Sequence, residues 1–213
     1  MSDGAAGTLR LSCPAKLNLG LRVLGRRDDG YHLLDTVMHA IDLGDELYAR
    51  AVAGGSRTRL AVFADDPRDA LPPDDDNLVL RAARAWGARA GAAAGLDFAL
   101  QKRVPHGGGL GGGSSDAAAA LRLCNAFAPA LGAAPLDPAA LHELARGLGA
   151  DVPFFLAGGT QRARGIGDQL EPVDEPPAWW FTLLVPPFGC PTVAVYKNLA
   201  SPWQGSFATA SMR

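Results

Sequence analysis

Between residues 105 and 116 the chain reads Pro-His-Gly-Gly-Gly-Leu-Gly-Gly-Gly-Ser-Ser-Asp, and its six glycines leave a stretch of nearly bare backbone. Such a run costs conformational entropy, so a task that requires uncovered peptide groups is its natural explanation. Successive N–H groups can converge on phosphate oxygens. A helix starting just afterwards adds its own unpaired N–H groups and the positive end of its dipole. Ser114 and Ser115 stand where an N-cap is expected, and their hydroxyls suit a phosphate or Mg²⁺. The chemistry indicated is the grip of a polyphosphate. A side chain at Gly111 is expected to block the close approach that this grip needs.

Other readings of the loop lack their companions. Gly107 to Gly112 satisfies GxGxxG, but a dinucleotide fold places an acid about twenty residues later, and the region around Pro129 to Pro135 has none. A phosphate loop of the Walker type requires Gly-Lys-Ser/Thr, which is absent, as are the HRD and DFG landmarks of protein kinases. A flexible linker is disfavoured because an apolar strand enters the loop and an alanine-rich helix leaves it.

The elements around the loop follow from periodicity. Residues 9–23 alternate with period two, which predicts one long strand, or two broken at Pro14, with Lys16 and Asn18 on the non-core face. Residues 36–51 are extended with Val37, Ile41, Leu43 and Leu47 inward, interrupted near Gly44; 59–64 is a shorter strand. A proline-rich loop leads to a helix from about Asn77 to Ala90, and residues 96–104 form the strand that feeds the glycine loop. Helices are expected over 115–127 and 138–148, the latter with Pro near its start and Gly149 past its end. Apolar segments follow at 154–156 and 179–185, the second read as a strand. Strands before, between and after helices make a mixed α+β architecture.

Composition bounds the partners. The 213 residues carry a net charge of −2, with no basic field for nucleic acid or an anionic membrane. No apolar run is long enough to span a bilayer, and the first eight residues lack the order of a secretory signal. The three cysteines, Cys13, Cys124 and Cys190, show no CxxC pairing, so neither a disulfide framework nor a metal site is legible. The reading is a cytoplasmic protein acting on a small molecule, as monomer or homodimer.

Four segments together resemble the GHMP kinases: Pro14-Ala15-Lys16-Leu17-Asn18-Leu19, Asp29-Gly30-Tyr31-His32, the glycine loop, and Leu148-Gly149-Ala150-Asp151-Val152-Pro153-Phe154-Phe155. The first two point to the member that phosphorylates a hydroxyl of a cytidine-diphosphate-linked polyol in isoprenoid precursor synthesis. The resemblance implies ATP and Mg²⁺ as cofactors and the family's N-terminal fold, which is like domain 2 of ribosomal protein S5. It implies Lys16 and Asp151 as the catalytic pair, Asp151 orienting the acceptor hydroxyl and taking its proton, Lys16 offsetting charge on the transferring group. By the same resemblance the nucleotide is held by Asn77, Lys102, Pro105, Gly107, Gly108, Gly109, Leu110, Gly111, Gly112, Gly113, Ser114 and Ser115. Asn18, Tyr31, His32 and Tyr196 would line the acceptor site. Asp116 receives no assigned role, and His106 a positional one.

The resemblance divides the chain into an N-terminal ATP-binding domain over 1–160 and the start of a C-terminal domain over 161–213. The family's pattern continues past Tyr196 with a second domain and a late Gly/Ser-rich motif, neither of which is visible here. Fragment, shortened gene and frameshifted end would all look alike, and exposed apolar surface around Trp179, Trp180 and Phe181 is expected. Alternatives kept open are a GHMP kinase with a smaller acceptor and a nucleotide-binding fragment with impaired catalysis. An RNA-binding relative of the fold is disfavoured by the charge.

Overall fold

The computed structural model describes residues 7–52, 57–69, 72–93, 95–174, 177–186 and 195. Its frame is one long antiparallel hairpin, β1 (Leu9–Arg26) and β2 (His32–Ala51), turned at Gly30 with φ of 90°. Pro14 does not break β1. It lies opposite Gly44 at a register shift, where a Cβ on residue 44 would stand 3.0 Å from the Cys13 carbonyl oxygen. A bulge between a residue without an N–H and one without a side chain keeps the strand continuous while bending it.

The far edge of β2 is split between two partners. Its C-terminal half, Glu46 to Ala51, pairs with β4 (Leu96–Lys102), and β3 (Arg59–Ala64) runs parallel to β4 beyond it. Its N-terminal half, Leu34 to His39, pairs with β5 (Thr160–Gly165), followed outward by β6 (Gln169–Pro172). The gap between β4 and β5 becomes the centre of the site.

Helix α1 (Leu78–Ala90) starts at Asn77, whose Oδ1 accepts from the Val79 amide at 3.0 Å. Helix α2 (Gly112–Ala126) lies against β1 and β2, with α1, α3 (Pro138–Leu148) and α4 (Val152–Ala157) packed on it. Ala117 to Ala120 are buried in α2, so its backbone comes close to the strands. Leu96, Phe98 and Leu100 supply the sheet side of the core, and Val79, Trp86, Leu121, Leu123 and Phe154 the helix side.

Asn125 latches this layer together. Its Oδ1 accepts from Trp86 Nε1 at 3.1 Å and from the Leu136 amide at 2.6 Å, and its Nδ2 donates to the Leu136 carbonyl. Asn125→Ala leaves the donor of a fully buried Trp86 unpaired. It is expected to cost about 2–3 kcal/mol in urea unfolding, as buried orphan groups do, with the denaturant slope unchanged.

A helix start and one strand depart from expectation, and other segments gain detail. Helix α2 begins at Gly112 rather than Ser115, so the last loop glycines form its first turn and Gly111, not a serine, is the N-cap. Residues 154–156 belong to helix α4, because Pro153 sits at its first turn. The run 179–185 is not a strand: among the described residues no strand pairs with it, and its apolar side chains do not alternate. As expected it exposes apolar surface, with Trp180 at 99%. The boundary expected at 160 coincides with the start of β5, which pairs along β2, so this sheet continues to Pro172. Leu9 and Leu21 are exposed despite their phase, since β1 is an outer strand.

Candidate active site

Three segments meet where the sheet splits. The glycine loop leaves the end of β4, α4 leads into β5, and β1 passes alongside at Lys16. The Lys16 amide donates to the Leu110 carbonyl at 2.9 Å, which ties the strand directly to the loop. Lys16 is therefore not the solvated residue its phase suggests: only 6% of it is exposed, with Gly111 beside it. Its ammonium lies 3.7 Å from Asp151 Oδ2. Asp151 occupies the N-cap position of α4, yet its carboxylate makes no capping hydrogen bond. A cap would have explained this acid blandly; the geometry instead turns it towards the lysine.

The loop has the backbone of an anion cradle. φ is positive at Gly107, Gly109 and Gly111 (73°, 70° and 75°) and not at Gly108 or Leu110, so its sign alternates. Alternation of this kind turns successive N–H groups to the same concave side. The loop walls a cleft of about 450 Å³ together with Pro72, Asn77 and Leu78, with Ser114 and Asp116 at the start of α2. Pro105 also lines it, whereas Ser115 does not: Ser115 is buried and its Oγ has no hydrogen-bond partner. Asn77 borders the cleft while its side chain caps α1 and its Nδ2 reaches the Pro72 carbonyl at 3.3 Å. The His106 amide donates to Asp69 Oδ1 at 2.7 Å, pinning the outer arm of the loop.

Of the expected acceptor residues, Asn18 stands two positions from Lys16 on β1, its Oδ1 accepting from Thr36 Oγ1 at 3.2 Å. Tyr31 and His32 are at the hairpin tip, nine and eight residues before Ala40, the partner of Lys16. Tyr31 is exposed. Tyr196 lies outside the described residues, as do Cys190 and residues 201–213.

Lys102 reaches the floor of the cleft, but its ammonium is committed to two carboxylates: Asp45 Oδ2, in close contact, and Asp116 Oδ2 at 2.9 Å. All three side chains are buried. Burial disfavours the Lys102 charge, yet Asp116 and Asp45 hold its pKa above the ordinary lysine value. Burial, aided by Asp45 and opposed by Lys102, pushes Asp116 up to about 7. Asp45 carries no expected role. Its signal was present as a lone acid in phase with Leu43 and Leu47 on the inward face of β2.

Among the described residues no helix is long and apolar enough to cross a membrane. Nor do three or more His, Cys, Asp or Glu side chains there gather into a metal site.

Residues 77–159 match the family described as GHMP kinases N terminal domain. The chain is 49% identical over 185 residues to the 4-diphosphocytidyl-2-C-methyl-D-erythritol kinase of Ralstonia nicotianae, covering 87% of this chain and 60% of that protein. Against the enzyme of the same name from Deinococcus radiodurans it is 51% identical over 164 residues, covering 77% of this chain and 52% of the relative. The chain thus spans between half and about three fifths of the length of these relatives. A crystal structure of 4-(cytidine 5'-diphospho)-2C-methyl-D-erythritol kinase superposes with a TM-score of 0.62 at 42% identity, covering 79% of this chain and 56% of that one.

Proposed function

The chain belongs to the GHMP kinase family, and from that premise we propose that it transfers the γ-phosphoryl group of ATP to a hydroxyl of 4-diphosphocytidyl-2-C-methyl-D-erythritol, a step towards isoprenoid precursors in the non-mevalonate route. The observation that carries this reading is the Lys16–Asp151 pair, set beside the glycine loop by the Lys16–Leu110 backbone bond. In the transfer, a bond forms between the acceptor oxygen and the γ-phosphorus while the bond to the β–γ bridging oxygen breaks. Asp151 orients the hydroxyl and accepts its proton; Lys16 compensates charge on the phosphoryl oxygens. The loop amides hold the β- and γ-phosphates, with Asn77 on the cleft wall by the nucleoside. Mg²⁺ would arrive with the triphosphate and neutralise part of its charge. The Ser114 hydroxyl and the unpartnered Asp116 Oδ1 are the oxygen donors that suit a hard cation there. Asn18, Tyr31 and His32 line the acceptor side, and Tyr196 belongs to it by resemblance to the family. We place the protein in the cytoplasm, acting on this small molecule.

The test is ADP release by the purified chain, with the cytidine-diphosphate polyol against homoserine, mevalonate and galactose. Release is expected only with the first. Faster release with another acceptor would overturn the substrate, and ATP binding without release on any acceptor would overturn the activity.

A further inference from the structure

The gap between β4 and β5 leaves a stretch of β2 without a strand neighbour on the edge away from β1, and Asp45 stands in it, fully buried. Its Oδ1 accepts from the amides of Arg103 at 2.5 Å and Val104 at 2.8 Å, the two residues that follow β4 and open the glycine loop. Its Oδ2 contacts Lys102 Nζ, whose other partner is Asp116 Oδ2 at 2.9 Å, in the first turn of α2 where the loop closes. The same Oδ2 lies 3.3 Å from where a Cβ of Gly112 would be. One side chain thus touches the entry of the loop directly and its exit both by packing and through a buried ammonium.

We propose that Asp45 is a positioning residue: from the gap in the sheet it fixes both ends of the glycine loop, so that the loop's amides are already aligned before a phosphate arrives. The proposal rests on the kinase reading for what the loop holds, but not for the brace itself. A carboxylate that takes the place of a missing strand can satisfy two amides at once, and it needs a counter-charge because it is buried. Lys102 supplies that charge, which assigns Lys102 to the brace rather than to the nucleotide. Preorganised donors need no reorganisation on binding, so loosening them is felt as lost affinity.

The brace makes two predictions. In the unmodified chain, the Arg103 and Val104 amides should exchange with solvent at least about 100-fold more slowly than those of Gly107 to Gly109, though neither belongs to a strand. In calorimetry with ATP alone, Asp45→Ala should weaken binding at least about tenfold, with exchange quickened over residues 103–113 and not over Ala117 to Leu121. Asp45→Asn keeps an oxygen for both amides but faces Lys102 with an N–H₂ group in place of Oδ2, so its ATP affinity should fall between those of the Ala variant and the unmodified chain. A purely structural role would quicken exchange throughout α2 and leave ATP affinity unchanged. Fast exchange at Arg103 and Val104 in the unmodified chain overturns the proposal even if Asp45→Ala does not fold, as does an Asn variant no better than Ala. Slow exchange there, in a chain that binds no ATP, would instead sink the kinase reading and leave the brace standing.

Discussion

Asp151→Asn should reduce phosphoryl transfer about 10³-fold, within the range that general bases contribute, while ATP affinity stays within about twofold. The substitution keeps shape and hydrogen-bonding reach but removes the group that can take the hydroxyl proton. Asp151 does not line the cleft walled by the glycine loop, so its replacement should leave the loop's grip on the nucleotide in place. The loss should therefore fall on kcat and not on the KM for ATP. Single-turnover transfer together with calorimetry on ATP separates the two. If ATP binding collapses instead, Asp151 faces the nucleotide, and the assignment of the 3.7 Å pair with Lys16 to the acceptor is wrong.

What could be read in the sequence, and what could not, follows from where side-chain pattern carries the information. β4 shows apolar alternation because one of its faces packs under the helices, and α3 shows its ends through Asp137, Pro138 and Gly149. Both were legible to within two residues. β5 was not, because its sequence Thr-Gln-Arg-Ala-Arg-Gly alternates small or polar residues with arginines. It is held by its ladder to β2, by Arg162 paired with Asp35 at 2.8 Å, and by His39 Nδ1 with Thr160 Oγ1 at 2.7 Å. Those bonds join residues over a hundred positions apart, which no local window detects.

The site divides in the same way. The glycine loop announces itself by composition alone. Lys16 and Asp151 were visible only through the family resemblance, since a lysine on a strand and an acid before a proline are individually unremarkable. The brace at Asp45 and Lys102 was not read, although an acid interrupting an apolar strand face is a burial conflict that only a partner can resolve. Lys102 was placed at the nucleotide by the family resemblance alone. It lines the cleft and is buried between two carboxylates, and the brace proposed above would occupy its ammonium.

The second large effect concerns Gly111, and here the structure redirects the expectation. A Cβ at Gly111 would not enter the cleft; it would stand 2.8 and 2.9 Å from ring atoms of Phe155 and 3.2 Å from Lys16 Cγ. The residue also has φ of 75°, which a β-branched side chain strongly disfavours. Gly111→Val therefore combines backbone strain of about 1–2 kcal/mol or more with overpacking of about 1–3 kcal/mol. Against a typical stability of about 5–15 kcal/mol, the expected result is a thermal midpoint lower by ten degrees or so and the loss of transfer as Lys16 is displaced. Gly109 provides the contrast, having the same sign of φ but nothing within 4 Å of its Cβ position. Gly109→Ala should cost only about 1 kcal/mol of backbone strain. If ATP affinity nevertheless falls tenfold or more there, the open space beside Gly109 is where the phosphates lie; unchanged affinity would move them elsewhere along the loop.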